Sequence, residues 1–353
     1  MRLSRLTKTG IAAVLSLSMT LTSYAATELN LVFLANGNDE EHDAALVFKN
    51  YVENHTNNNV IVKIFQGAQL CGSAVECFES LKAGDIDVFV ATAGGTAAIY
   101  QPIQGLDLPY LLQGDRVAEA VFQDPAFLKE IRTRIMKATG NQIRLLSIGN
   151  TGGWRNFANS KHTIKSPSDV KGLKLRTIES EIQQILVKNM GGTPTSLPFM
   201  EVYTALQTGM IDGTKNSISD ITNMKFQEKV KFITLDGHGY MAGMWFIGNK
   251  RFEKLTPAEQ QVIVDGGAAM ATVMFGIQPR KELEAYADWK KAKGEIYIPN
   301  AAEMAQFKES TQPIREWYLK KFGADGESFL KSYEDAIARA ETHVEDLRKA
   351  IND

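Results

Sequence analysis

Residues 142–176 read QIRLLSIGNTGGWRNFANSKHTIKSPSDVKGLKLR, and the fold turns on how this stretch divides. QIRLLSIGN (142–150) has the apolar pattern of a strand. NTGGWR (150–155) sets Gly152 and Gly153 across that pattern and interrupts it. SPSDVKG (166–172) then reads as a one-turn helix. Ser166 suits an N-cap, Pro167 a first helical residue and Gly172 a C-terminal stop. KLRTI (174–178) follows as a strand. An α/β alternation therefore ends near residue 150 and restarts near 166, which predicts two blocks of chain.

Working outward, the upstream block alternates strands with helices. Strands are expected at 28–35, 59–66 and 86–92, and helices at 43–55, about 74–82 and about 115–138. Downstream, a helix at 180–190 follows the strand, and the alternation continues to about 236. A strand is expected at 243–248. The last third reads as helices: one long one over 256–295, started by Pro257 and kinked by Pro279, then 301–310, 313–322 and 327–350. SLKAGDIDVFV (80–90) echoes ALQTGMIDGTK (205–215). In each, a glycine (Gly84, Gly209) is placed to end a helix before Ile-Asp and a strand. The echo suggests two related lobes joined by at least two crossings of the chain.

The chain has 353 residues with 39 Lys+Arg against 41 Asp+Glu, a net charge of −2. No basic excess marks a nucleic-acid or anionic-membrane binder. Two cysteines and five histidines are too few for a disulfide scaffold, a four-cysteine zinc site or a histidine-rich metal site. Residues 1–25, MRLSRLTKTGIAAVLSLSMTLTSYA, have a basic start, an apolar run over 10–22 and small residues at Ser23 and Ala25. This is the pattern of a signal peptide cleaved before Ala26. Its removal would leave 328 residues and take the net charge from −2 to −5. Export to an oxidising compartment would let Cys71 and Cys77 pair, with Ser73 and Glu76 forming a capping box between them. The alternative is two free thiols.

No H-E-x-x-H, G-x-S-x-G or P-loop pattern is present, and no G-x-G-x-x-G follows the first strand. ATAGGTAA (91–98), with Gly94, either presents backbone N–H groups to an anion or makes an ordinary strand-to-helix turn. Asp39, Glu40, Glu41 and His42 read as an exposed, solvated loop rather than a metal site. The informative residues are arginines. Arg176 falls at a strand end just before a helix, where open α/β sheets place ligands, and Arg155 lies in the glycine-rich break. Each guanidinium offers a planar donor fork suited to a carboxylate or sulfonate.

SPSDVKGLKLR (166–176), EVYTALQTGMIDGTKNS (201–217) and HGYMAGMWFIGNKRFEKLTPAEQQ (238–261), with GDIDVFVATAGG and LDLPYLL upstream, resemble the DctP-type solute-binding subunit of tripartite ATP-independent periplasmic (TRAP) transporters. The resemblance covers essentially the whole chain after residue 25. It implies an α/β, two-lobed periplasmic-binding-protein-like fold with a ligand cleft between the lobes and long C-terminal helices. Lobe I is expected from 26–152 plus about 241–280, and lobe II from 153–240 plus about 281–353. It implies that Arg176 pairs with the ligand's carboxylate, Asn216 is its co-donor, Phe199 packs on the ligand and Arg155 adds a second cation. Asn36, Asn38 and Glu40 are candidates for the variable position after the first strand. Trp154, Tyr240, Trp245 and the 91–96 loop, with Gly94, are candidate walls.

The expected function is capture of a small organic anion, a carboxylate before a sulfonate or sugar acid, in the periplasm and its delivery to a TRAP permease. The expected chain is a monomer that needs no cofactor or metal and catalyses nothing. An exported enzyme acting on small acids and a partner of a membrane sensor are the rival readings.

Overall fold

The structure is a computed structural model and describes residues 26–352. The expected signal peptide and its cleavage point lie outside the described residues. Nine strands are described: β1 (Thr27–Val32), β2 (Val60–Phe65), β3 (Val88–Thr92), β4 (Ile143–Asn159), β5 (Lys174–Thr177), β6 (Thr193–Ser196), β7 (Gly213–Asn216), β8 (Phe232–Gly248) and β9 (Glu295–Tyr297). They form one sheet in the order β2-β1-β3-β8-β4-β7-β5-β6, with β9 paired to β8.

That order contains the same arrangement twice. β1 lies between β2 and β3, all parallel, and β5 lies between β6 and β7, all parallel. The sequence echo sits at matching places. Gly84 and Gly209 both take the left-handed conformation, at φ 90° and 71°. The backbone N–H of Asp87 donates to the carbonyl of Asn30, and its carboxylate accepts the Asn30 N–H. Asp212 makes the same two bonds with Lys174. Each Ile-Asp therefore clamps the start of the third strand of its lobe to the first.

The long antiparallel strands β4 and β8 join the two lobes. They pair from Ile143 opposite Gly248 to Asn159 opposite Phe232. The glycine-rich stretch expected to break the chain is instead an irregularity inside β4. Register shifts between Asn150 and Trp154, and Gly152 and Gly153 sit at φ 101° and 84°. An alternation of period two cannot be read through residues in that conformation, which is why the strand looked finished at 150. β8 likewise begins well before the expected 243.

Alternate residues of β3 and β8 go to opposite faces. Phe89 and Phe246 enter one core cluster, and Val88, Val90, Trp245 and Ile247 the other. The single helix expected over 115–138 is two, Asp115–Gln123 and Pro125–Ala138. Pro125 has no N–H to continue the first, and Asp124 caps the second by accepting the Phe127 N–H at 2.9 Å. Helix Pro257–Lys291 opens on a Thr256/Glu259 capping box and runs on through Pro279.

The C-terminal run Gln312–Asn352 is two helices with Gly323 between them at φ 52°. They lie against residues 102–134 and reach the second lobe. Tyr318 donates to the Pro102 carbonyl at 2.5 Å, Arg134 pairs with Asp325 at 2.6 Å and Lys321 with Glu181 at 3.1 Å. Cys71 and Cys77 are joined by a disulfide, with Cα atoms 5.2 Å apart. Ser73 caps the helix Ala74–Ala83. The Glu76 carboxylate accepts from Gly72 N–H at 2.7 Å, one residue before the position a capping box requires.

Candidate functional site

The carboxyl ends of β1, β3, β5 and β7 converge with the irregular stretch of β4 on one cavity. Arg155, Arg176, Phe199 and Asn216 line it together, although they come from four separate stretches of chain. Arg176 is 4% exposed, and its Nε and Nη2 both donate to the Leu197 carbonyl, at 3.0 and 2.8 Å. Nη1 takes no part in those bonds. The guanidinium carbon lies 5.7 Å from the centroid of the Phe199 ring, so the ring fixes the plane of the fork. Arg155, 3% exposed, donates Nη1 to the Lys215 carbonyl at 3.2 Å, and its Nε has no partner among the described residues.

Burial, and then the charge of Arg155, press the Arg176 guanidinium down to about 9, with Asp220 opposing. The group is still charged at neutral pH. Burial and Arg155 also hold Lys215 well below the usual lysine range, and its ammonium donates to the Gln183 carbonyl at 3.0 Å. An anion placed here would relieve two buried, mutually repelling guanidinium groups. Asn216 is held at both ends. Its Nδ2 donates to Asp220 at 2.9 Å and its Oδ1 accepts from Thr214 at 2.7 Å.

The acidic cluster corrects the sequence reading. Asp39, Glu40 and Glu41 are 4%, 1% and 8% exposed, not a solvated loop. Asp39 is the N-cap of helix Glu40–His55, accepting the Glu41 N–H at 3.1 Å, and the helix start turns into the cleft. Asp220 joins them from the other lobe. Asp39, Glu41 and Asp220 line the cavity. Burial is the main cause that raises all four, with Asp39 repelling the other three. Asp220 reaches about 7, and Glu40 and Glu41 stand well above the usual carboxylate range. Asp39, Glu40 and Asp220 each offer a carboxylate oxygen within 4.8 Å of the others, a spacing that suits a cation.

The remaining sequence candidates lie elsewhere. Trp154 donates Nε1 to Asp115 at 2.7 Å and packs edge-on against Tyr240 with centroids 5.1 Å apart. Tyr240 stacks on Phe122, and Trp245 is wholly buried in the sheet core. Asn36 contacts the Met224 sulfur at 3.1 Å, and the Asn38 carbonyl accepts from Lys281 at 2.6 Å. Both contacts join segments at the cleft edge. Ala91, Thr92 and Gly95 line the main cavity, while Gly94 lines a neighbouring one that shares Arg176 and Phe199 with it.

The sequence reading missed Glu41, Thr151, Asp220 and Met241. Two of these, Asp220 and Glu41, carried a readable signal, the latter through the neighbouring Asp39. Ser217 to Asp220 is an N-cap spacing, with Ser217 accepting the Asp220 N–H at 3.0 Å, and Asp39 stands directly before a helical run.

The family model for bacterial extracellular solute-binding proteins of family 7, DctP, matches residues 33–321. A solute-binding protein of Verminephrobacter eiseniae is 30% identical over 86% of this chain and 88% of its own. The 2,3-diketo-L-gulonate-binding periplasmic protein YiaO of Escherichia coli is 29% identical over 69% of this chain and 72% of its own. The crystal structure of a TRAP periplasmic solute-binding protein from Desulfovibrio salexigens with bound orotic acid superposes with a TM-score of 0.83. It is 27% identical and covers 89% of this chain and 99% of that one.

Proposed function

Because the chain belongs to family 7 of the bacterial extracellular solute-binding proteins, the DctP family, we propose that it holds a small organic acid between its lobes on Arg176 and passes it to a TRAP permease. The observation that carries this is the pair of buried guanidinium groups, Arg176 and Arg155, in one cavity at the carboxyl ends of parallel strands. Buried charges require a partner, and no carboxylate of the protein forms a salt bridge with either among the described residues. Phe199 and Asn216 complete the wall, the amide holding Asp220 in place. The relatives that bind 2,3-diketo-L-gulonate and orotic acid both take a carboxylate, and this chain is expected to do the same in the periplasm.

Lobe I comprises 26–152 with about 241–280 in this reading, and lobe II 153–240 with about 281–353, whose final helices reach back over 102–134. The chain acts as a monomer and as a binder rather than a catalyst. The buried Asp236–His238 pair, 2.8 Å apart, is not part of the cavity lining, and among the described residues no nucleophile is bonded to the ring. The test is thermal unfolding against a panel of carboxylates, sulfonates and sugar acids. A true ligand at ~100 times its dissociation constant stabilises by about 2.7 kcal/mol. A panel with no stabilising acid, or steady product formation from one, contradicts the reading.

A further inference from the structure

The cavity that holds the two guanidinium groups also holds three carboxylates, those of Asp39, Glu41 and Asp220. A site for a simple anion has no use for them in their charged form, in which each would repel the ligand that the arginines attract. Lys281 draws Asp39 down and Arg155 draws Asp220 down, but burial outweighs both, and none of the three forms an ion pair among the described residues. Their hydrogen bonds come from neutral groups: Glu41 N–H and Asn223 to Asp39, Thr151 to Glu41, and Asn216 to Asp220. Lys281 is engaged with Asp43 at 2.9 Å and with the Asn38 carbonyl. Three unpartnered buried atoms accompany the cluster, one of them Thr92 Oγ1 on the cavity lining. Glu40 Oε1 is on the acidic side, and Arg155 Nε belongs to a residue that lines the cavity itself. Much of the remaining lining is apolar (Leu34, Ala74, Phe89, Val90, Ile178 and Met241), with Thr92, Thr151 and Asn216 beside it.

We propose that the solute carries a cationic nitrogen as well as its carboxylate, the nitrogen seated on Asp39, Glu41 and Asp220 and the carboxylate on Arg176 and Arg155, with an apolar body between. This rests on the carboxylate reading above and narrows the ligand to a zwitterion. The cationic end supplies the positive charge that the acidic wall lacks. Both ends of the ligand are then buried and paired, which a plain acid or a plain amine cannot achieve in this cavity.

The experiment is calorimetric titration of the full chain with isosteric pairs that differ in charge at one end. The probes are glycine betaine with 3,3-dimethylbutanoate, 5-aminopentanoate with hexanoate and 4-aminobutanoate with pentanoate, together with gluconate as a polyhydroxy acid. The expected result is at least a tenfold preference for the charged member of at least one pair. In Glu41→Gln, which keeps an oxygen for the Thr151 hydroxyl, that preference collapses. If the neutral acids or gluconate bind through Arg176 and the ammonium members gain nothing, the zwitterion is overturned while the carboxylate anchor stands. A preference that survives Glu41→Gln and the companion Asp220→Asn unchanged overturns the acidic wall as its seat. If no probe of any kind binds, the zwitterion is overturned. If the wider acid panel also fails, the anchor falls with it.

Discussion

Arg176 illustrates how a single residue's placement carries function. Its guanidinium spends two N–H groups on the Leu197 carbonyl, which orients the fork before any ligand arrives. Asp220 has the complementary role, and its titration is measurable. Burial, and then Asp39, hold its carboxyl at about 7 against an ordinary 3.8. The unfolded chain therefore gives up this proton at lower pH than the folded one. Below about 4 both states keep the proton. As pH rises from about 4 to about 7 the unfolded state is favoured and stability falls. At ~1.4 kcal/mol per pKa unit the effect amounts to a few kcal/mol. Denaturant titrations of the ligand-free protein across this range are expected to show that fall, made shallower by Asp220→Asn. An equal slope in the variant would remove Asp220 as its source.

At the scale of the element, β4 is the decisive strand, because its glycine pair lets the backbone pass close under the cleft. A Cβ on Gly152 would lie 2.6 Å from Ser217 Oγ and 3.0 Å from Asp220 Oδ1, at a φ of 101°. Gly152→Ala is thus expected to cost about 1–3 kcal/mol of stability and to weaken ligand binding by displacing Asp220. A variant with unchanged unfolding midpoint and affinity would show that the close approach is not required. The same strand marks where reading the sequence stopped. Elements with their own punctuation were legible: Ser166 and Pro167 do start a short helix, and Gly172, at φ 80°, follows its end. β4 and β8 were truncated because positive-φ glycines and register shifts erase a period-two pattern without ending the pairing.

For the whole molecule, the two lobes repeat one strand arrangement and meet through long connections, the C-terminal helices and the cleft edge. Asn36 with Met224, Asp39 with Asn223 and Lys281 with Asp43 bring those edges together. Solution scattering is expected to give a smaller radius of gyration with ligand than without it, as in hinge closure around a solute. An identical radius in both states would argue for a preformed site. The arginine side of the cleft was visible in the sequence because motif and strand end coincide at Arg176. The acidic side was not. Asp39, Glu41 and Asp220 lie far apart in the chain, and only the closing of two lobes on each other turns a charge run at a loop end into a buried wall.

The central claim is that a carboxylate is held on Arg176. The direct measurement is the dissociation constant, by calorimetry, of a stabilising acid for the wild type and for Arg176→Ala, with the unfolding midpoint of each ligand-free protein as a control for folding. Truncating one partner of a buried charge pair costs about 2–5 kcal/mol, so affinity is expected to fall by at least about 30-fold. An Arg176→Ala protein that folds normally and binds the same acid with unchanged affinity would contradict the account.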